Sequence, residues 1–175
     1  MADLSQGLTV WLTGLPSAGK TTLARGLEKR LLAGGHRVEV LDGDVVRTHL
    51  TKGLGFSRED REENVRRIGF VAHLLSRNGV VVVASVISPY RQVRDDLRQL
   101  HGGRFFEVHV ATPVEVCAQR DVKGLYARQR AGELHGLTGV DDPYEAPLRP
   151  EAVIPTQDQT LEESVEALWQ ALHSS

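Results

Sequence analysis

This chain predicts an α/β fold, doubly wound, with a mostly parallel sheet and helices on both faces. Three observations carry that expectation. Strand-like apolar runs alternate with stretches of helical periodicity along the length. Residues 80–84, four valines and an alanine, are a β-branched-rich apolar run without the one-in, one-out alternation of a half-exposed strand, the pattern of a strand covered on both sides. The loop after the first strand is glycine-rich and opens directly into a helix. The 175 residues are 41% hydrophobic and 25% charged, which suits one domain with a real core and argues against disorder. A single domain over residues 1–175 is therefore expected.

The elements follow in order. Residues 8–12 read as a strand, and residues 20–32 as a helix with Leu23, Leu27 and Leu31 on one face and Gly34 and Gly35 as its stop. Residues 38–41 are a short strand running into Asp42, Gly43 and Asp44. Ser57 and Asp60 have the spacing of a capping box for a helix to about Asn78, which Gly79 ends. After the buried strand at 80–84 a helix follows Pro89, and residues 105–110 form another strand. Thr112 reads as an N-cap with Pro113 at the first helical position of a helix to about Arg120. From about 121 to 147 the alternation stops. Gly124, Gly132, Gly136, Gly139, Pro143 and Pro147 punctuate a stretch that reads as a mobile lid insertion. Val153 and Ile154 supply the last strand, and Thr160 with Glu163 caps a C-terminal helix carrying Leu161, Val165 and Leu168.

Composition excludes several classes of function. A net charge of −2 provides no global basic field, so neither nucleic acid nor a membrane surface is an expected partner. Cys117 is the single cysteine, which rules out an internal disulfide, and Met1, Ala2 and Asp3 lack the basic start of a leader. A reducing cytoplasm is the expected compartment. His36, His49, His73, His101, His109 and His135 show no metal-ligand spacing.

The chemistry begins at Gly14-Leu15-Pro16-Ser17-Ala18-Gly19-Lys20-Thr21, followed by Thr22, which satisfies G-x-x-x-x-G-K-[ST] between a strand and a helix. Glycines let backbone N–H groups converge on phosphate oxygens, and the helix N-terminus adds partial positive charge. In such a loop Lys20 reaches the terminal phosphates and Thr21 ligates Mg²⁺, so ATP with Mg²⁺ is the expected donor. A base-reading N-K-x-D is absent, and the D-x-x-G at Asp121 follows a helix, which argues against a switch GTPase. The long apolar strand ends in Ala84 and Ser85 and not in an acid, unlike most motor ATPases. The acids at a strand end are Asp42 and Asp44, where an acceptor would sit, so a small-molecule kinase is favoured.

Asp44 has two readings that spacing does not separate, orientation of an acceptor hydroxyl together with Mg²⁺, or the N-cap of the next helix. Arg47 either faces the same site or lies in solvent. Arg61 and Asn64 sit three residues apart beside the apolar stripe Val65, Ile68, Ala72 and Leu75, so both can address a cleft. Phe56 suits an aromatic acceptor group or a hydrophobic staple. Ser88 and Pro89 close the buried strand, where Ser88 is either a site hydroxyl or part of a plain turn. Arg120, Lys123, Arg128 and Arg130 form a basic cluster able to close over the donor phosphates.

Together GLPSAGKTT, LDGD with Arg47, GFSREDREENVRRIG, SVISPYR, RDVKGLYARQRAG and LTGVDDPYEAP resemble the adenylylsulfate kinase family over nearly the whole chain. The resemblance implies a P-loop kinase fold, moving the γ-phosphate of MgATP to the ribose 3′-hydroxyl of adenosine 5′-phosphosulfate (APS) in sulfate activation. It implies that Lys20, Asp44, Ser88 and Lys123 serve the transfer, with Thr21 and Asp44 at the metal. Gly14 to Thr22, Arg120 and Arg128 would hold ATP. Asp44, Arg47, Phe56, Arg61, Asn64, Ile87, Ser88, Lys123, Gly136 and Leu137 would hold the acceptor. The family's phenylalanine after Gly136 is Leu137 here, and the asparagine after D-G-D is Val45. Leucine has no aromatic face, so weaker acceptor stacking is expected. The resemblance further implies a homodimer. Ser88 aligns with a serine linked to phosphoryl carriage in the family, yet no base stands near it in the sequence, so direct transfer is the expected route.

Overall fold

The computed structural model describes residues 4–174, and Met1, Ala2 and Asp3 lie outside them. In chain order the elements are β1 (Leu8–Thr13), α1 (Lys20–Ala33), β2 (Val38–Asp42), α2 (Gly43–Arg47), α3 (Arg58–Ser76), β3 (Val81–Ser85), α4 (Arg91–His101), β4 (Phe105–Val110), α5 (Val114–Arg120), α6 (Leu125–Arg130), β5 (Ala152–Ile154) and α7 (Leu161–Ser174). The strands form one five-stranded sheet in the order β2-β3-β1-β4-β5, every pair parallel. Because all strands point the same way, every strand ends on one edge, which is where such sheets bind ligands.

Side-chain alternation divides the core. Val10 and Leu12 of β1 pack with Leu23, Leu27 and Leu31 of α1 and with Val165, Leu168 and Leu172 of α7. Trp11, between them, faces the other way and packs with Val65 and Ile68 of α3 and Val93 and Leu97 of α4. Full burial of each such leucine contributes roughly 1.5–3 kcal/mol, so the two layers clamp β1 and the loop that leaves it. The doubly wound expectation holds, and β3 is buried at every position, as its unbroken apolar run implied.

Local signals at three helix starts resolve differently from the sequence reading. Ser57 caps α3 by accepting from Asp60 N, but the Asp60 carboxylate turns away and accepts from Gly55 N at 2.9 Å, so the box is half made. The N-cap of α2 is Asp42, whose side chain accepts from Asp44 N at 3.0 Å; Asp44 is already inside the helix. Pro113 and not Thr112 stands at the cap of α5, because the Thr112 hydroxyl is drawn into the phosphate loop, donating to Ala18 O at 2.8 Å. Thr160 and Glu163 do form the reciprocal box at α7. The segment 121–147 is packed on the fold through α6, with Tyr126 and Leu137 in the main core cluster.

Candidate active site

The loop from Gly14 to Lys20 is held by its carbonyl oxygens. Lys20 Nζ donates to Gly14 O at 3.0 Å and Leu15 O at 2.7 Å, and Tyr126 Oη donates to Pro16 O at 2.9 Å. Ala18 O accepts from Thr112, from Thr156 at 2.7 Å and from Arg120 at 3.4 Å. With its carbonyls engaged, the loop offers N–H groups to a ligand, joined by the unpaired first N–H groups of α1. Gly19 sits at φ 102°, a conformation that a side chain would strain, and this turns the loop into the helix.

Strand register assembles the next group. Ser85 pairs with both Leu12 and Asp42, so the ends of β1, β3 and β2 stand side by side. Thr21 Oγ1 donates to Asp42 Oδ2 at 2.8 Å and lies 3.3 Å from Ser85 Oγ. One carboxylate and two hydroxyls are hard oxygen donors, which fits Mg²⁺, an ion that takes few carboxylates and completes its shell with substrate phosphates and water. Among the described residues no cluster of three or more histidine, cysteine or acidic side chains could hold a metal by itself. Lys20 is 8% exposed, and burial pushes its pKa down to about 8. Behind it Cys117 is buried and its thiol is pushed up by that burial.

A cleft of ≈ 910 Å³ extends from this loop, and its far wall comes from other elements. Arg47 and Phe56 line it with the guanidinium carbon 4.6 Å from the ring centroid, and Phe56 is 68% exposed. Arg61 is buried and reaches into the segment 121–147, donating to Thr138 Oγ1 at 2.9 Å and to Gly136 O, and pairing with Asp142 at 3.1 Å. Lys123 and Asp44 form an ion pair across the opening, both more than half exposed.

Of the residues singled out from the sequence, the loop residues 16–22 with Asp44, Arg47, Phe56, Arg61, Ile87, Arg120, Lys123, Gly136 and Leu137 share this cleft. Gly14 and Leu15 stand behind the loop as acceptors for Lys20. Asn64, Ser88 and Arg128 are not among the lining residues. Asn64 is buried with its Oδ1 unpartnered, and Arg128 lies on the exposed side of α6. Ser88 is 1% exposed, and its hydroxyl accepts from Trp11 Nε1 at 3.0 Å and donates to Val86 O at 3.1 Å. Leu137 is buried against the core as well as lining the cleft, and does not stand out as a free stacking surface. Sequence reasoning placed Asp42 beside Asp44 at the strand end but gave the metal to Asp44, and it left out Ser85, although Ser85 was visible as a polar strand end. Thr112 carried only an N-cap signal, and Tyr126 and Thr156 none, since all three reach the loop from far along the chain.

The family model for adenylylsulphate kinase matches residues 6–155. The chain belongs to the adenylylsulfate kinase family. An adenylyl-sulfate kinase of Rippkaea orientalis is 60% identical over 167 residues, covering 95% of this chain and 92% of that protein. The Mycobacterium tuberculosis APS kinase CysC, solved in complex with AMPPNP and APS, superposes with a TM-score of 0.92 at 42% identity, covering 96% of this chain and 98% of that one. A hexameric APS kinase from Thiobacillus denitrificans gives a TM-score of 0.74 at 38% identity, over 97% of this chain and 29% of that chain. The likeness to the family thus spans the phosphate loop, the strand ends and the segment over the cleft.

Proposed function

We propose that this protein transfers the γ-phosphate of ATP to the ribose 3′-hydroxyl of adenosine 5′-phosphosulfate, yielding 3′-phosphoadenylyl sulfate and ADP. The observation that carries the reading is the single cleft in which a phosphate loop meets a second wall of Arg47, Phe56 and Arg61, a set suited to a second anionic, aromatic ligand. The Mycobacterium tuberculosis relative, bound to an ATP analogue and APS, supports the choice of both ligands.

Phosphoryl transfer needs little covalent chemistry from a protein, so positioning and charge neutralisation do most of the work. The loop N–H groups and Lys20 take the donor phosphates. Thr21 and Asp42 would hold Mg²⁺, which would supply positive charge to offset that of the donor phosphates. Asp44 orients the acceptor hydroxyl and takes its proton, with Lys123 balancing its charge. Arg47, Arg61 and Phe56 hold the acceptor. The enclosed Ser88 hydroxyl supports direct transfer over a phosphoseryl intermediate, because its hydrogen bonds point into the core. We read the protein as a homodimer; light scattering tests this, and the hexamer formed by the Thiobacillus denitrificans relative is the alternative outcome. The single cysteine, and the lack among the described residues of any helix long and apolar enough to cross a membrane, are compatible with a cytoplasmic setting.

The deciding experiment compares acceptors at equal ATP and Mg²⁺. Adenylylsulfate is expected to give the highest kcat/KM, well above adenosine 5′-monophosphate or a simple sugar. Faster turnover with another acceptor overturns the assignment.

A further inference from the structure

Arg94, in the first turns of α4, is a full positive charge only 1% exposed. Its Nε donates to Glu107 Oε1 at 2.8 Å, Nη1 donates to Ser88 O at 2.6 Å, and Nη2 donates to Glu145 O. One planar fork therefore joins β4, the turn after β3 and the C-terminal root of the segment 121–147. Withdrawing a guanidinium from water is costly unless its N–H groups are matched, and here two of the three partners are backbone carbonyls that a simple ion pair would not require.

Both carbonyls belong to segments that shape the cleft. Ser88 sits at φ 45°, a left-handed conformation unusual for a residue with a side chain, and such strain persists only where neighbours over-determine it. The neighbours here are Arg94 on its carbonyl, with a longer contact from Thr13 Oγ1 at 3.4 Å, and Trp11 and Val86 on its hydroxyl. The flanking residues Ile87 and Pro89 line the cleft. The root is stitched to the same turn, with Glu145 N donating to Pro89 O at 2.8 Å and Tyr144 Oη 3.0 Å from Thr13 Oγ1, which itself donates to Ile87 O at 2.6 Å. The phosphate loop is anchored separately, through Tyr126, Thr112, Thr156 and Arg120.

We propose that Arg94 is a positioning residue for the acceptor. It locks the strained Ser88 turn to the root of the overlying segment, and so sets the wall that Ile87 and Pro89 present, without touching either substrate. This rests on the acceptor reading given above. Because the donor loop has its own anchors, disturbance at Arg94 falls on the acceptor and spares ATP.

Steady-state kinetics of wild type, Arg94→Lys and Trp11→Phe, with Tm recorded for each, test this. Lysine keeps the charge beside Glu107 but cannot span two carbonyls as a fork does. Trp11→Phe removes an independent hydrogen bond to the same turn. In each folded variant KM for adenylylsulfate is expected to rise about 10-fold or more, since small misplacements are costly, while KM for ATP stays within about twofold. A folded variant with unchanged acceptor KM, or with both KM values raised alike, overturns the proposal. If Arg94→Lys does not fold, Trp11→Phe carries the same expectation and the same refutation. Wild type separates the two readings. Inactivity with adenylylsulfate overturns the proposed acceptor, and the split is then read on whichever acceptor wild type uses. An active wild type with unaltered variants overturns only the role of Arg94.

Discussion

Lys20 is a buried ammonium whose nearest hydrogen-bond partners are the carbonyls of its own loop. Burial pushes its pKa down from 10.5 to about 8, so the free protein loses this charge as pH rises through about 8. A bound triphosphate favours the charged form and pulls the value back up. The expected result is a fall in kcat/KM for ATP above pH ~8, because that ratio reports the free enzyme, while kcat at saturating ATP holds to higher pH. Two profiles breaking at the same pH would contradict it. Asp42 and Asp44 offer a second test. Asparagine caps helices about as well as aspartate, so Asp42→Asn keeps the α2 cap but removes the charge beside Thr21. A Mg²⁺ requirement raised roughly 10–100-fold is expected, with little change in Tm; an unchanged Mg²⁺ titration places the ion elsewhere. Which of two acids two positions apart meets Thr21 was not legible locally. It is settled by the pairing of Asp42 with Ser85, which turns one carboxylate inward and leaves the other at the opening.

Among the elements, α3 was recognisable from its cap and apolar spacing and α4 from its place after Pro89, but their separation was not. A Cβ built at Gly69 of α3 would lie 2.2 Å from Leu97 Cδ2 of α4, so the glycine permits the close approach. Alanine favours a helix over glycine by about 1 kcal/mol, whereas overpacking a core costs roughly 1–3 kcal/mol. The packing term wins where Leu97 has no room, and it is 2% exposed. Gly69→Ala is therefore expected to lower Tm by a few degrees, at roughly 2–4 °C per kcal/mol for a chain of this size. A raised Tm in thermal unfolding would mean that Leu97 moves aside freely. The same distance from local rules explains Thr112. Its sequence is that of an N-cap, yet its hydroxyl is taken by Ala18 O, 94 positions earlier in the loop that leaves the neighbouring strand β1.

For the whole molecule, acid stability follows from a side chain far from the cleft. His101 ends α4 fully buried, with Nδ1 bonded to Leu97 O at 2.7 Å and its ring 5.3 Å from that of His73 and 5.1 Å from Phe105. Burial pushes its pKa down to about 4. Between about pH 6.5, its unfolded value, and 4 the unfolded chain takes up a proton that the fold refuses, so stability is present above that window and is lost as pH falls through it. Tm is expected to decline across this range in wild type and less steeply in His101→Phe; parallel declines would remove His101 as the cause. Apart from α6, which falls in the stretch read as an irregular insertion, the order of strands and helices, the buried character of β3 and the donor loop were written in the sequence, because each depends on contiguous residues and on periods of two or 3.6. Strand order, the inward turn of Asp42, the enclosure of Ser88 and the fork of Arg94 were decided only by tertiary structure. Those features depend on partners far along the chain, as with Trp11 and Ser88, 77 positions apart, and no local pattern specifies which distant group will arrive.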